Sequence, residues 1–377
     1  MERIKLGEIC EIVSGSTPKT GVDRYWNGDI DWITPAELKD ETYIIEESQR
    51  KITQIAVQET GLKPFPKGTV ILSSRAPIGK VAIAGKEMYC NQGFRNLICS
   101  DRVDSRYLYW YLKGHTDYLN SLGRGATFKE ISKTIVENIE IPLPDMNKQI
   151  NYANTLKKCW DILLALKEQV GVFDELIKSR FVEMFGSCEN MVSIAELCSI
   201  ITDGTHQPPK FQGSGIPFIF VSNLAENKVT YNTEKFISED TYNELIKRTP
   251  IERGDVLLST VGSYGHPAVV VEDKKFLFQR HIAYMKPKHD VINSFYLYSA
   301  LLAPDVQRQI EEKVKGIAQK TLNLSEIRKI MLPVPPIELQ EQFSTFFHQI
   351  DKLKLTAQKR IEKMETLKNK LMQQFFN

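Results

Sequence analysis

Polar and charged side chains suited to DNA binding recur in the loops of this sequence, most of which contain glycine. The first half carries SGSTPKTGVDRYW (14–26), SSRAPIGK (73–80), NQGFRN (91–96) and GRGATFKEISK (123–133). The second half carries TDGTHQPPK (202–210), STVGSYGHP (259–267), FQRH (278–281) and KGIAQKTLNLSEIRK (315–329). Arg and Lys contact phosphates, and Arg, Asn and Gln hydrogen-bond to base edges. Each loop alone is also an ordinary polar turn, so the interpretation depends on the whole set.

Motifs for methyl transfer and ATP hydrolysis are missing from the sequence. An amino-methyltransferase needs [N/D]PP[Y/F], but the two PP pairs lie in QPPK (207–210) and VPPI (334–337). The segment FQGSGIP (211–217) contains a lone GxG, and no GxxxxGK[ST] is present. The sequence therefore predicts a chain that neither transfers a methyl group nor hydrolyses ATP itself.

One string matches the PD-x5-ExK pattern of metal-dependent nucleases: Pro304, Asp305, Glu311 and Lys313. A nuclease needs these groups to converge on a phosphate. The segment is instead typical of one polar helix, on which Asp305 and Glu311 point to different sides. The histidines show no metal-ligand spacing, so we predict neither a metal site nor catalytic residues. A self-contained nuclease is kept as an alternative.

The sequence around these loops occurs twice. The matching pairs are RIKLGEICEIVS (3–14) with MVSIAELCSIIT (191–202), GTVILSSRAPIGKVAIAG (68–85) with GDVLLSTVGSYGHPAVVV (254–271), and VENIEIPLP (136–144) with IRKIMLPVP (327–335). Their order is the same in both halves, which predicts two similar domains in one chain. We name residues 1–144 the first repeat and residues 191–335 the second repeat. Their polar loops differ while the rest matches, which favours recognition of two different sequences.

Each repeat has the pattern of a β-rich domain with a buried helix. Short β-branched runs bounded by glycine and proline, such as GTVILSS (68–74) and GDVLLST (254–260), predict strands. The segments RYLYWYLKG (106–114) and FYLYSALLA (295–303) predict matching helices. The fold class predicted is α+β, with an internal pseudo-twofold repeat.

Long heptad segments follow each repeat, over residues 145–190 and 336–377. Apolar residues recur at seven-residue steps, with others between them: Leu163, Val170, Ile177 and Met184, with Trp160, Leu166, Phe173 and Phe181; then Phe343, Ile350, Ala357, Met364 and Leu371, with Phe347, Leu353, Ile361 and Leu367. Such spacing predicts coiled-coil helices, each of roughly 57 Å. Neither helix can bury so long a stripe alone. We therefore predict that they pair as an antiparallel coiled coil.

Composition places the chain among soluble globular proteins. Of 377 residues 42% are hydrophobic and 25% charged, with a net charge of +2, so any basic surface must be local. No stretch approaches the ~20 apolar residues of a membrane span, and MERIKLGEICEI (1–12) is not a signal peptide. The six cysteines form no CxxC pair. Cys10 and Cys198, which occupy matching places in the two repeats, are predicted to be small buried side chains. We expect a cytoplasmic protein without a membrane partner.

The ordered, duplicated motif set resembles the specificity (S) subunit of Type I restriction–modification enzymes over essentially the whole chain. The motifs are KLGEICEIVSGSTPK (5–19), SSRAPIGKVAIAG (73–85), CNQGF (90–94), IPLP (141–144) and KQI (148–150), then LCSIITDGTH (197–206), STVGSYGHPAVVV (259–271), FQRHI (278–282) and LPVPPIELQEQ (332–342). Asn91-Gln92 is replaced by Phe278-Gln279 in the second repeat, and Pro18 aligns with His206. These departures fall where the family is expected to vary.

The resemblance implies a DNA-recognition subunit that is not itself an enzyme. Each repeat would be a target recognition domain for one half of a split, asymmetric site in double-stranded DNA. The helices would be spacers that set the gap between half-sites and dock methylation (M) subunits, two in number, with restriction (R) subunits joining them. S-adenosylmethionine, ATP and Mg²⁺ would bind the partner subunits, and this chain would bind no cofactor. A DNA-binding regulator without an enzyme partner is a further alternative.

Loop position within the resemblance implies the candidate DNA contacts. In the first repeat they are Thr17, Lys19, Ser74, Arg75, Gly79, Lys80, Asn91, Gln92, Arg95, Arg124, Thr127 and Lys129. In the second repeat they are Thr205, His206, Lys210, Ser263, Tyr264, His266, Gln279, Arg280, Lys315, Gln319 and Lys320.

Overall fold

The computed structural model describes residues 3–75, 77–125, 129–316 and 320–376. The chain divides into two compact units: the first contains Met1–Glu168 with Gln358–Asn377, and the second contains Gln169–Ala357. Each unit contains one repeat together with parts of both long helices. The predicted domain boundaries at residues 144, 190 and 335 stay predictions.

The first repeat alternates short strands and short helices in chain order. They are β1 (Arg3–Lys5), α1 (Leu6–Ile9), β2 (Cys10–Ser14), β3 (Trp26–Ile33), β4 (Ile44–Ile45), β5 (Lys51–Ile52), α2 (Gln54–Thr60), β6 (Val70–Ser73), β7 (Val81–Ala84), β8 (Tyr89–Cys90), β9 (Phe94–Cys99), α3 (Ser105–Gly114), α4 (Thr116–Ser121), α5 (Lys133–Glu137) and β10 (Glu140–Pro142).

Its central sheet has five strands in the order β2-β9-β6-β7-β4, beside a three-stranded sheet β5-β3-β8 and the pair β1-β10. Strands β6 (VILS) and β7 (VAIA) are buried at every position, as expected for β-branched runs covered on both faces. Helix α3 begins at the N-cap Asp104, whose side chain accepts from two main-chain N–H groups. Its residues Tyr107 to Leu112 are all buried, so the predicted helix anchors the hydrophobic core.

The second repeat has a corresponding series of elements. They are β11 (Met191–Ser193), α7 (Ile194–Leu197), β12 (Cys198–Asp203), β13 (Ile216–Ile219), β14 (Phe236–Ile237), α8 (Glu239–Leu245), β15 (Val256–Ser259), β16 (Pro267–Val269), β17 (Leu277–Phe278), β18 (Ile282–Pro287), α9 (Ser294–Leu302), α10 (Pro304–Lys313), α11 (Leu324–Ile327) and β19 (Met331–Pro333).

The pairing of these strands follows that of the first repeat. The orders are β12-β18-β15-β16, β14-β13-β17 and β11-β19. In both repeats the strand after the first short helix pairs with the strand that precedes the buried helix. The predicted duplicated α+β fold is thereby confirmed.

The two long helices are α6 (Met146–Phe185) and α12 (Ile337–Phe376), each of 40 residues. In the first unit Tyr152 stacks on Phe375 with ring centroids 4.0 Å apart. In the second unit Phe181 contacts Phe343 at 5.5 Å. Partner numbers fall along α12 as they rise along α6, so the predicted antiparallel pairing is confirmed. No helix in the described part of the chain is long and apolar enough to cross a membrane.

A buried glutamine links each long helix to the repeat that precedes it. Gln149 accepts a hydrogen bond from the Asp104 main-chain N–H at 2.9 Å, and Gln340 accepts one from Asn293 N–H at 2.9 Å. Each glutamine also donates to a proline carbonyl at the end of its repeat, again at 2.9 Å. Both side chains are buried. Fully bonded buried amides fix a geometry, so each helix begins at a defined angle to its repeat.

On α12, the residues that face α6 differ from the heptad prediction at two positions. Ile350 and Ala357 are buried as predicted, but Leu353 is 51% exposed and Leu367 is 44% exposed. Their places are taken by Lys354 and Lys368, which continue the alternating four- and three-residue steps from Phe343. A lysine stem can cover apolar surface while its ammonium group finds a partner. Lys354 forms an ion pair with Asp174, and Lys368 lies 5.5 Å from the Trp160 ring.

Candidate nucleic-acid interface

The loops predicted for the first repeat meet at one edge, which we name the first loop edge (14–26, 73–80, 91–96 and 123–133). Ser74 N–H donates to Gly93 O at 2.8 Å, and Ile131 N–H donates to Ser74 O at 3.0 Å. The Thr17 hydroxyl donates to the Gln92 side chain. These bonds join four segments that are far apart in the chain.

The equivalent second loop edge comprises residues 202–210, 259–267, 278–281 and 315–329. Thr260 N–H donates to His281 O at 2.9 Å, and Leu322 N–H donates to Thr260 O at 2.8 Å. Arg280 N–H donates to Thr205 O at 3.1 Å. The two main-chain bonds through Thr260 therefore match those through Ser74. Cys90 pairs with Ile33 as Phe278 pairs with Ile219, so Asn91 matches Gln279, and the match of Asn91 with Phe278 from the sequence is wrong by one residue.

A serine closes the turn at the centre of each edge. Ser73 Oγ accepts from Lys80 N–H at 2.8 Å, and Ser259 Oγ accepts from His266 N–H at 2.9 Å. Gly79 has φ +93°, a conformation that glycine adopts without steric cost. The turn thus presents a lysine in one repeat and a histidine in the other at the same place.

The chain approaches itself closely where the first loop of each edge begins. A Cβ on Gly15 would lie 2.2 Å from Cys90 O and 2.3 Å from Asn91 O. A Cβ on Gly204 would lie 2.2 Å from Phe278 O. Only glycine fits against these carbonyls, so both residues set the distance between neighbouring loops.

The candidate residues of the first edge differ in exposure. Thr17, Lys19, Gln92, Arg124 and Lys129 are exposed, whereas Arg75, Lys80, Asn91 and Arg95 are half-buried. Ser74 and Gly79 are buried and hold the turn together rather than face solvent. Thr127 lies outside the described residues.

Two of the candidate arginines share one carboxylate that sequence reasoning missed. Glu130 Oε1 lies 2.7 Å from Arg95 Nη2, and Glu130 Oε2 lies 4.0 Å from Arg75 Nη1. Glu130 stands inside the quoted segment 123–133, but nothing in the local pattern indicates its partners.

The second edge exposes more of its candidates. His206, Lys210, Ser263, Arg280, Lys315 and Lys320 are exposed, and Thr205, Tyr264, His266 and Gln279 are half-buried. The Lys320 ammonium lies 5.8 Å from the Tyr264 ring centroid. Gln319 lies outside the described residues. The exposed cations give this edge the positive charge that phosphate binding requires.

Two histidines of the second edge have partners that the sequence did not indicate. His206 Nε2 lies 2.9 Å from Asp203 Oδ2, and Arg248 pairs with the same carboxylate at 2.7 Å. His266 Nδ1 lies 3.1 Å from Asn227 Oδ1. Arg248 and Asn227 stand outside every predicted motif, so only the fold brings them to this edge.

The electrostatic environment disfavours a charge on a third histidine, His281. Partial burial and the neighbouring Arg280 charge lower the pKa of His281 from its usual value. A lowered pKa favours neutral imidazole near pH 7, with one ring nitrogen available as an acceptor.

A cation–π cluster lies beside the first loop of the first edge. The Arg50 guanidinium lies 4.1 Å from the Trp26 ring centroid and 5.2 Å from that of Trp32. Trp26 Nε1 donates to Lys19 O at 3.3 Å. Neither tryptophan was among the predicted contacts, although Trp26 ends the quoted loop segment 14–26.

The nuclease-like string does not assemble a site. Asp305 and Glu311 lie on α10, and six residues of helix separate their directions by about 240°. The Asp305 side chain is 85% exposed and pairs with Arg308 on the same helix. Within the described ranges, no group of three His, Cys, Asp or Glu is placed to hold a metal ion.

Comparisons with known proteins agree on one family. A family model described as the Type I restriction modification DNA specificity domain matches residues 1–170 and 189–366. The MjaIX specificity subunit of a type I restriction enzyme from Methanocaldococcus jannaschii is 30% identical over 98% of this chain and 90% of its own length. The Escherichia coli EcoBI specificity subunit is 26% identical over 64% of this chain and 58% of its own length.

Solved structures share the fold. The S subunit of a Type-I restriction-modification system from M. genitalium superposes with a TM-score of 0.62 at 16% identity, covering 100% of this chain and 96% of that one. A chain from a study of complex assembly and conformational transition of the type I R-M system superposes with a TM-score of 0.61 at 17% identity, covering 99% and 97%.

Proposed function

The chain belongs to the family of type I restriction–modification DNA specificity subunits, and we propose that each of its repeats recognises one half of a split, asymmetric DNA site. The observation that carries this proposal is the pair of loop edges. Both are held by the same main-chain connections, yet one presents Lys80 and Asn91 where the other presents His266 and Gln279. A common frame with different donors and acceptors suits two different base sequences.

The chain is a non-catalytic recognition subunit, and the chemistry is assigned to its partners. Methylation subunits would supply S-adenosylmethionine and transfer a methyl group to adenine N6. Restriction subunits would supply ATP-driven translocation and cleavage with Mg²⁺. Two methylation subunits would match the two repeats, and the assembly would act on DNA in the cytoplasm.

Exposed apolar residues on α12 support docking of a methylation subunit there. Leu339 and Leu353 are 38% and 51% exposed, and the half-exposed Phe346 lies midway between them at seven-residue steps. This stripe flanks the line of contact with α6. A second heptad stripe beside a coiled-coil contact suits packing by another helix, so the proposed occupant is a helix of the methylation subunit.

Replacing Leu353 by aspartate should weaken association with the methylation subunit by about tenfold or more, because a buried unpaired charge costs several kcal/mol. Leu355→Asp is the matched control, since Leu355 is 44% exposed and lies about 200° further around the helix. Co-purification and titration calorimetry with the methylation subunit measure the effect. Equal affinity for the two variants would contradict docking on this stripe.

Exchanging residues 1–144 for the equivalent part of another specificity subunit should change one half of the methylated motif and leave the other half intact. The reason is that each loop edge is held by bonds within its own repeat. Genome-wide mapping of N6-methyladenine in a host that carries the chain and its methylation subunit measures the outcome. A change in both halves, or in neither, would count against one half-site per repeat.

A further inference from the structure

We propose that Glu130 is a positioning residue that orients Arg75 toward a guanine in the first half-site and so determines base preference there. The inference rests on the proposed DNA-recognition function and assigns a role within it. Bidentate recognition of guanine O6 and N7 needs a guanidinium held in one plane. An anchored carboxylate attracts a neighbouring guanidinium and so limits the positions that it samples before a base binds.

Arg95 anchors the carboxylate. Its Nη2 lies 2.7 Å from Glu130 Oε1, and its side chain is only 12% exposed. Its Nη1 also donates to Phe94 O at 2.9 Å and to Gln92 O at 3.3 Å. With three acceptors around it, the Arg95 guanidinium is fixed to the framework of the edge. Glu130 is therefore held in place by a group that itself faces little solvent.

The Arg75 side chain is the more exposed of the two arginine side chains beside Glu130. It is 33% exposed, and its Nη1 lies 4.0 Å from Glu130 Oε2. At this distance the carboxylate attracts the guanidinium without a direct hydrogen bond, so that the pair does not use up the donors that a base needs. The main chains of Arg75 and Glu130 also pair as an isolated β-bridge. This bridge fixes the position of the Arg75 main chain, from which the side chain extends.

The second repeat lacks all three charges at the matching positions. The bridge equivalent to Arg75↔Glu130 is Val261↔Thr321. Arg95 lies opposite Leu72 where β9 pairs with β6, and Ala283 lies opposite Leu258 where β18 pairs with β15. Ala283 is therefore the equivalent of Arg95. The loop edge therefore forms with uncharged residues at these sites. The charged trio belongs to what one repeat recognises rather than to the shared fold.

The test uses the full chain with its methylation subunit and a library of duplexes varied at each position of the wild-type site. Glu130→Gln should lower the preference for guanine at one position of the first half-site by about tenfold, the value of a well-formed bidentate contact. Arg75→Ala should act on the same position. Because both residues act through one contact, the double variant should add little further loss. The second half-site should be unaffected.

Glu130→Thr introduces the side chain that Thr321 has at the matching position of the second repeat. This variant distinguishes a loss of base preference from a loss of stability. The melting temperature of each variant is measured alongside its base preference. Unchanged guanine preference in folded Glu130→Gln and Glu130→Thr would overturn the inference, as would an equal loss at every position. Failure of the wild-type complex to select any sequence would instead refute the proposed function, so the two failures are distinguishable.

Discussion

Replacing Phe185 by alanine should lower the free energy of unfolding of the second unit by about 3–5 kcal/mol, the range for deleting a buried phenyl ring. Phe185 ends α6 and is 2% exposed. Its ring centroid lies 4.9 Å from Tyr296, 5.1 Å from Phe181 and 5.6 Å from Phe343. The ring thus joins both long helices to α9, and its loss leaves a cavity where these elements meet.

The first unit offers a matched variant. Phe376 ends α12, is 1% exposed, and lies 5.2 Å from Tyr107 and 5.6 Å from Tyr111. Phe376→Ala should destabilise the first unit by a similar amount, since Tyr107 on α3 corresponds to Tyr296 on α9.

Two probes measure the stability of the two units separately. All four tryptophans precede residue 169, so tryptophan fluorescence reports the first unit, and hydrogen exchange reports the second. Val182→Ala is the surface control, because Val182 is 57% exposed and its truncation should cost within about 0.5 kcal/mol. If Phe185→Ala cost no more than this control, the helix end would not anchor the second unit.

Replacing Gly15 by alanine should abolish selection of the first half-site while the second remains selected. The added Cβ would lie 2.2–2.3 Å from two carbonyl oxygens and the Cys90 sulfur, so the main chain must move. Overpacking of this kind costs about 1–3 kcal/mol. Displacing the strand that leads to Asn91 and Gln92 would remove base contacts proposed for this edge, and each such contact is worth about 1–3 kcal/mol of discrimination.

Gly204→Ala should produce the reverse pattern, because its Cβ would meet Phe278 O at 2.2 Å. Gly21→Ala, in the same first loop, is the neutral control, since nothing lies within 4 Å of its Cβ. Methylation-motif mapping and duplex binding measure all three variants. Retained selection of the first half-site in Gly15→Ala, at unchanged melting temperature, would show that the loop spacing does not control recognition.

Much of the fold could be predicted because its signals are local. The strands β6 and β15 and the helices α3 and α9 were indicated by short β-branched runs and by helical periodicity. The long helices were indicated by heptad spacing. The same reasoning failed at Leu353, since hydrophobicity alone cannot tell a residue on the contact line from its neighbour. Lys354 occupies that line because its stem packs and its charge meets Asp174.

The candidate site was predictable as a set of loops but not as a geometry. Arg95 and Glu130 are 35 residues apart in sequence, and Arg248 and Asp203 are 45 apart. Loop position made Ser74 a candidate DNA contact, yet Ser74 is buried and its main chain is bonded to Gly93 and Ile131. Exposure and ion pairing at such positions depend on which strand lies opposite.

The sequence by itself determined the duplication, the α+β class, the antiparallel pairing and the family, because repeats, periodicities and motif order are read along the chain without knowledge of its tertiary contacts. Tertiary structure alone decided which polar loops share an edge, which candidates face solvent, and that one repeat couples two arginines through Glu130. Sheet register brings distant segments within hydrogen-bonding distance, and a shift of one residue would turn each side chain to the opposite face.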